Sequence, residues 1–179
     1  MRTVLGIDPG VKHTGWCVLR DTGPLSVYKP IARGVIIPPG EGKHGVADVV
    51  SWVLPRMRQV LLDYGPTLVA VEEVTWYGRG RRITLPLSHV AGALIALSAL
   101  SKAVLFVLLP GQKVKKRPRW ITEKWSEHEA DAALLALAAI NLQELLDCAE
   151  PADTACERKR QLAVSKRRIS VEEFARGTP

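Results

Sequence analysis

Three short stretches of the sequence place acidic side chains where apolar runs end. In the first, GIDPG at residues 6–10, a single carboxylate follows apolar residues and precedes a Pro-Gly turn. Aspartate is depleted inside strands and common in turns, so Asp8 at the end of a strand requires a reason. The side chain either caps the turn or belongs to a metal or phosphate site, and spacing alone leaves both explanations open.

The second stretch is Glu72-Glu73, which ends the apolar run Thr67–Val71. Adjacent residues of a strand point to opposite faces, so the two glutamates are not expected to serve one site together. Either residue could instead be the charged end of a strand at the surface. Only one of the two is therefore a candidate for the same site as Asp8.

The third stretch opens a helix that is expected to run from Ser126 to about Asp147. Ser126 and Glu129 have the spacing of a capping box, which gives Glu129 a structural role. His128 and Asp131 are three residues apart and therefore share one face of the helix. They are either capping groups of the helix start or two further members of a site.

The elements that must position these side chains follow from hydrophobic periodicity, which predicts an α/β fold. Strands are expected at Thr3–Ile7, Thr14–Arg20, Ile31–Ile37, Thr67–Val71 and Val104–Val107. Helices are expected at Gly45–Tyr64, Leu85–Leu100 and 126–147. Three successive strands imply an antiparallel meander, and the wholly apolar fourth strand implies burial on both faces in a parallel pairing.

Two of the predicted helices have unusual features. Pro55 lies inside the first helix and is expected to kink or break it. Leu85–Leu100 has almost no polar face, so it should be buried or lie against a partner, because a surface helix would show a charged side. Lys102 interrupts the apolar run that continues into the fifth strand, so no membrane span is predicted.

Composition limits the classes of function. At 179 residues the chain is expected to form one domain at 1–149, followed by a basic C-terminal tail at 150–179. The formal net charge of +7 favours a polyanionic partner such as nucleic acid. The three scattered cysteines have no metal-ligand spacing and indicate reduced thiols in an intracellular, cytoplasmic protein. No secretion signal is expected, because the first apolar run breaks at Asp8 and Pro9.

Two basic segments are candidate nucleic-acid contacts. The loop 75–82 mixes aromatic and basic side chains, which suit exposed bases and phosphates; the alternative is a hydrophobic anchor flanked by solvated arginines. The connection 110–125 is strongly basic and contains Trp120 and Trp125, although such charge runs are often only solvated loops. The candidate contact residues are Trp76, Tyr77, Arg79, Arg81, Arg82, Lys113, Lys115, Lys116, Arg117 and Arg119.

The first two acidic stretches resemble motifs of the RuvC-type Holliday junction resolvases, which are members of the RNase H-like nuclease superfamily. GIDPG followed by Thr14-Gly15 is similar to the opening motif of that family, in which the strand aspartate is a catalytic metal ligand. In AVEEV at residues 70–74, Glu72 matches the catalytic glutamate of the family and Glu73 is its surface neighbour. The resemblance therefore implies catalytic roles for Asp8 and Glu72.

The third stretch extends the resemblance. Asp131 matches the final aspartate of the family, and His128 stands at the position of the first acid, a substitution also known among its members. The resemblance covers roughly residues 3–147 and implies an RNase H-like fold with a five-stranded mixed sheet flanked by helices. Sugar kinases and actin-like ATPases open with a similar hairpin for phosphate, but this chain is too short for their paired lobes.

The resemblance implies a structure-selective endonuclease that resolves four-way junctions by metal-dependent hydrolysis at symmetric positions. Asp8, Glu72, His128 and Asp131 would hold two Mg²⁺ ions per active site, and the histidine makes Mn²⁺ equally suitable. Cuts in two opposed strands require a homodimer, with Leu85–Leu100 as the interface candidate. The alternatives are a related nuclease acting on other branched DNA or structured RNA, and a non-catalytic junction-binding protein.

The chain departs from the family pattern in two places. Typical cellular members have an additional helix in the interval 110–125, so the short connection here indicates a compact or viral member. Related resolvases also carry a junction-stacking aromatic just after the catalytic glutamate, where this chain has Thr75. The stacking role is therefore expected of Trp76 or Tyr77.

Overall fold

The computed structural model describes residues 2–21, 28–39, 45–74, 81–109, 112, 114 and 117–147, with the backbone only at 81–84. Within these residues the strands are β1 Thr3–Asp8, β2 Thr14–Asp21, β3 Tyr28–Ile36, β4 Leu68–Glu72 and β5 Val104–Leu108. The helices are α1 Val46–Tyr64, α2 Arg81–Ala99 and α3 Glu127–Asp147. The predicted α/β fold with a five-stranded sheet is confirmed.

The sheet has the strand order β3-β2-β1-β4-β5. The hairpin pairs β1-β2 and β2-β3 are antiparallel, whereas β1-β4 and β4-β5 are parallel. Both the predicted meander and the predicted parallel pairing of the fourth strand are confirmed. Ile7 pairs with Val71. The next residues, Asp8 and Glu72, are the last of their strands and therefore lie side by side at the carboxyl ends of β1 and β4.

The two faces of the sheet carry separate apolar layers, because alternate residues of a strand point to opposite sides. Helix α3 covers one face, against buried residues that include Val4, Cys17, Leu19, Ala70 and Phe106. Helices α1 and α2 cover the other face, against Leu5, Ile7, Val18, Val69 and Val71. Strands β1 and β4 are therefore buried on both sides.

Helix α3 lies unusually close to the hairpin β1-β2. A Cβ atom at Gly6 would stand 1.8 Å from the carbonyl oxygen of Ala132, and one at Gly15 would stand 2.3 Å from that of His128. These distances are far shorter than any van der Waals contact, so only glycine fits at either position. The close approach places the first turn of α3 directly over the end of β1.

Two sequence predictions for the helices are corrected. Helix α1 continues through Pro55, which was expected to kink or break it. Pro55 and Ser51 are exposed, so the Ser51 carbonyl that loses its helical partner can bond to water, and the buried side of the helix is unaffected. Arg81 and Arg82 were expected in a loop but belong to the first turn of α2. Pro86 also lies within this helix.

Several predictions concern residues outside the described part of the chain. They include the candidate contacts Trp76, Tyr77, Arg79, Lys113, Lys115 and Lys116, and the basic tail. Among the described helices, none has the length and hydropathy required to cross a membrane.

Candidate active site

Asp8 and His128 are brought together at the carboxyl end of β1, although 120 residues separate them in the chain. Nδ1 of His128 lies 2.8 Å from Oδ2 of Asp8. Because a carboxylate only accepts hydrogen bonds, Nδ1–H is the donor in this contact. The Asp8 side chain is 11% exposed and that of His128 is 40% exposed, so the pair opens to solvent on the histidine side.

The turn after Asp8 is closed by its own backbone and by one hydroxyl. Thr14 is fully buried, and its Oγ1 donates to the carbonyl oxygen of Gly10 over 2.9 Å. A Cβ atom at Gly10 would stand 1.9 Å from the carbonyl oxygen of His13, so the chain can turn this tightly only with glycine there. The turn thus gives Asp8 a defined backbone position at the rim of the site.

Glu72 and Asp131 lie on the two elements that carry this pair's neighbours, β4 and α3. Glu72 is half-buried at the end of β4, next to Asp8 across the parallel pair, and Glu73 is exposed, as expected for a surface neighbour. Asp131 is half-buried on α3, one turn beyond His128. Within the described residues, no three His, Cys, Asp or Glu side chains lie close enough to hold a metal ion together. The four-ligand site therefore stays a prediction.

The beginning of α3 is anchored at several points, and this anchoring positions His128. The predicted capping box is present: Ser126 N–H donates to Oε2 of Glu129 over 2.9 Å, and Glu129 N–H donates to Oγ of Ser126 over 3.2 Å. Oε2 of Glu129 also lies 3.6 Å from Nη1 of Arg33 on β3. The Arg33 guanidinium stacks 4.0 Å above the centre of the Trp125 ring. A strand, a loop and a helix thus meet at the helix start.

The donor set suits a hard divalent cation. Two ligands at right angles around an octahedral ion with bonds of about 2.1 Å lie about 3 Å apart. The 2.8 Å between Nδ1 of His128 and Oδ2 of Asp8 is close to that separation, so a cation could replace the proton that they share. Carboxylate oxygens and one imidazole nitrogen are ligands that Mg²⁺ and Mn²⁺ accept. The spacing and the donor chemistry of Asp8 and His128 therefore suit two ligands of a divalent metal.

The predicted basic surface is described only in part. Arg117 and Arg119 are exposed, as a contact with phosphates requires. Trp120 and Trp125 instead pack partly buried against the apolar layer beneath α3, with their ring centres 5.6 Å apart. The two tryptophans thus anchor the basic connection to the core.

Sequence reasoning missed the parts played by His13 and Gly15. The His13 ring stacks on that of His128, with ring centres 5.4 Å apart and an angle of 22° between the planes. Gly15, which pairs with Asp8, admits the backbone of His128. A glycine at the start of a strand, opposite the candidate aspartate, was a signal for close approach by another element.

Fold and site together define an RNase H-like α/β domain with an acidic site at the carboxyl ends of β1 and β4. A family model described as crossover junction endodeoxyribonuclease RuvC matches residues 4–156. The chain belongs to the RuvC family. The match ends inside the predicted tail, so the division at residue 149 stays a prediction.

Individual relatives agree with this assignment. The crossover junction endodeoxyribonuclease RuvC of Hyphomonas neptunium is 32% identical over 109 residues, which are 61% of this chain and 62% of the relative. That of Pseudomonas syringae pv. tomato is 36% identical over 99 residues, 55% of this chain and 54% of the relative. The chain thus spans little more than half the length of the curated relatives that it matches.

Solved structures show the same fold at low sequence identity. Thermus thermophilus RuvC matches with a TM-score of 0.66 and 21% identity over 80% of this chain and 96% of that one. The yeast mitochondrial Holliday junction resolvase Ydc2 matches with a TM-score of 0.56 and 16% identity over 81% of this chain and 82% of that one. These likenesses confirm the predicted RNase H-like architecture.

Proposed function

We propose that the protein is a metal-dependent endonuclease that resolves four-way DNA junctions in the cytoplasm. The observation that carries this proposal is the contact of Asp8 with His128 at the end of β1, beside Glu72, in a chain of the RuvC family. The matched relatives are named crossover junction endodeoxyribonuclease, and Thermus thermophilus RuvC is described in complex with a Holliday junction substrate.

Asp8, Glu72, His128 and Asp131 would hold the metal. Two bound divalent ions would activate a water molecule and stabilise the leaving 3′ oxygen of the phosphodiester. Three carboxylates favour Mg²⁺, and the imidazole suits Mn²⁺ at least as well. Asp8 supplies a nearly buried carboxylate from a rigid strand, and His128 supplies a ring from the first turn of α3. Their separation therefore depends on how closely α3 packs on β1 and β2.

The proposed DNA-binding surface adjoins this site in the chain. Arg117 and Arg119 are exposed and lie in the connection 110–125, which ends next to the start of α3. Exposed guanidinium groups bind phosphates with a strong salt dependence, so junction affinity should fall steeply as salt rises. Trp76 or Tyr77, close after Glu72 in the sequence, would stack on a base at the branch point.

Resolution by symmetric cuts requires two active sites related by a two-fold axis, hence a homodimer. Helix α2 offers an interface, because it packs one side against α1 and, over residues 85–99 whose side chains are described, exposes another that carries no Asp, Glu, Lys or Arg. That exposed stripe follows helical spacing and consists of Leu85, His89, Gly92, Ala96 and Leu100. Leu85 is 53% exposed, and Leu100, directly after the end of α2, is 87% exposed, so the stripe is apolar at both ends.

The test is a cleavage assay on three substrates of matched length: a four-way junction, a linear duplex and a structured RNA. We expect cleavage of the junction only, at symmetric positions, with Mg²⁺ or Mn²⁺ and not with a chelator. Cleavage of the RNA in preference would assign the protein to a related nuclease class. Tight junction binding without cleavage under any metal would make it a non-catalytic junction-binding protein.

A further inference from the structure

His13 lies at the end of the turn between β1 and β2 and contacts the candidate active site from outside. Its exposed ring stacks on the ring of His128, with ring centres 5.4 Å apart and 22° between the planes. The edge of the His128 ring is held by Asp8, through the 2.8 Å contact of Nδ1 with Oδ2. His128 is therefore bounded on its edge by a carboxylate and on its face by a second imidazole.

The backbone of the turn determines where His13 stands. Thr14 donates from Oγ1 to the carbonyl oxygen of Gly10, and the Gly10 backbone lies so close to His13 that a Cβ atom would meet its carbonyl oxygen at 1.9 Å. On the opposite side, Gly15 lets the backbone of His128 lie directly against the strand, because a Cβ atom there would stand 2.3 Å from the carbonyl oxygen of His128. The two histidine backbones are thus held independently, and the stacking of their rings follows from that placement.

His128 needs such a restraint because its own surroundings leave it room to turn. The side chain is 40% exposed and is held at Nδ1 by its hydrogen bond to Asp8, which is itself nearly buried. A half-exposed ring on the first turn of a helix can rotate away from the site about its χ1 angle. A flat ring against its face removes part of that freedom.

We propose that His13 is a positioning residue, which holds the His128 ring in the orientation that presents Nδ1 to Asp8. This inference rests on the proposed role of His128 as a metal ligand. What the role requires of residue 13 is a flat ring and not a second nitrogen ligand. Phenylalanine should therefore replace His13, and alanine should not.

The first measurement uses the metal-free protein, so it does not depend on the proposed function. Three-bond couplings across χ1 of His128, measured by NMR on protein labelled with carbon-13 and nitrogen-15, report how far the side chain is restricted to one rotamer. We expect one dominant rotamer in the wild type and in His13→Phe, and rotamer averaging in His13→Ala. Unchanged couplings in His13→Ala would overturn the proposal.

The second measurement is Mn²⁺ affinity by calorimetry. Loss of a group that orients a metal ligand weakens affinity about tenfold to a hundredfold, so His13→Ala should bind Mn²⁺ about tenfold more weakly. His13→Phe should stay close to the wild type, and Gln59→Ala, which removes an exposed polar side chain from α1 on the other face of the sheet, is the control. Equal losses in His13→Ala and His13→Phe would overturn the proposal, because the nitrogen of His13 would then be the group that matters.

A third variant separates this proposal from the proposed function. If His128→Ala binds Mn²⁺ as tightly as the wild type, His128 is not a ligand and the function assigned to it fails. The couplings of the metal-free protein would still decide whether His13 restrains the ring.

Discussion

The two faces of the sheet are packed in different ways. Beneath α3, alanines and two glycines bring helix and strand backbones into direct contact at Gly6 and Gly15. Beneath α1 and α2, larger side chains such as Ile7, Met57 and Leu94 keep the layers apart. The candidate active site lies on the first face, and the uncharged exposed stripe lies on α2 over the second.

This difference in packing matches the proposed division between a catalytic face and a face for association. A site built from two elements needs their backbones at a set distance, and close contact without intervening side chains leaves little freedom in that distance. A layer of large side chains tolerates small adjustments, which suits helices whose outer side is available for a partner. Substitutions on the two faces should therefore have separable effects, and the four below run from the largest expected effect to the smallest.

Asp8→Asn tests whether the α3 face is the chemical face. Asparagine keeps the shape of the side chain but removes the charge of the proposed metal ligand, so the cleavage rate should fall about a thousandfold or more, roughly 4 kcal/mol of barrier. Junction affinity, measured by fluorescence anisotropy with a chelator present, should stay largely intact because the basic surface is untouched. Loss of folding or of binding together with activity would show Asp8 to be structural.

Gly6→Ala should break the close packing itself. The new Cβ would stand 1.8 Å from the carbonyl oxygen of Ala132 and 2.9 Å from the backbone nitrogen of Ala136, and neither backbone atom can move without the helix. We expect a loss of about 3 kcal/mol in the free energy of unfolding, measured by urea denaturation. The matched control is Gly92→Ala on α2, where a Cβ meets nothing within 4 Å and alanine should stabilise the helix by up to about 1 kcal/mol.

Ala96→Glu addresses the other face. It places one glutamate from each subunit in the proposed α2 interface, which should weaken the dimer by about 2 kcal/mol, roughly thirtyfold in Kd. Sedimentation velocity should show a shift to monomer with the fold retained. Ala47→Glu, an equally exposed position on α1, should leave the dimer unchanged. A wild type that is monomeric both free and bound to a junction would refute the dimer.

The buried thiol of Cys17 is a probe of how tightly the layer beneath α3 is packed. Its labelling does not require a substitution, so this prediction involves the smallest change to the protein. Burial raises the pKa of its thiol to about 12, and alkylation requires the thiolate. Iodoacetamide at pH 8 should therefore label Cys17 far more slowly in native than in urea-unfolded protein, as peptide mass spectrometry can measure. Because the folded pKa is raised above its ordinary value of 9.0, the associated stability is complete below about pH 9 and is lost as pH rises toward 12. Equal labelling rates would show that the α3 layer opens readily.

The sequence by itself determined the elements and the ends of the strands. Apolar periodicity is a pattern among near neighbours in the chain, and it indicates both the type of element and its buried face, so the five strands and three helices were predicted within a few residues. The capping box of Ser126 and Glu129 was equally local and is present. The resemblance to the RuvC-type resolvases implied one site for Asp8 and Glu72, and the parallel pairing of β1 with β4 does bring both residues to one edge of the sheet.

Only the tertiary structure decided what stands beside Asp8. The 2.8 Å contact with His128 spans 120 residues and depends on how deeply α3 settles on Gly6 and Gly15, a distance that no local pattern contains. The stacking of His13 depends on the same distance. The continuity of α1 through Pro55 also depends on the tertiary structure, because the packing of the buried side of the helix offsets the loss of the hydrogen bond that proline cannot donate. Local propensity acts between near neighbours, whereas a site joined across the sheet depends on the thickness of the layer between its elements.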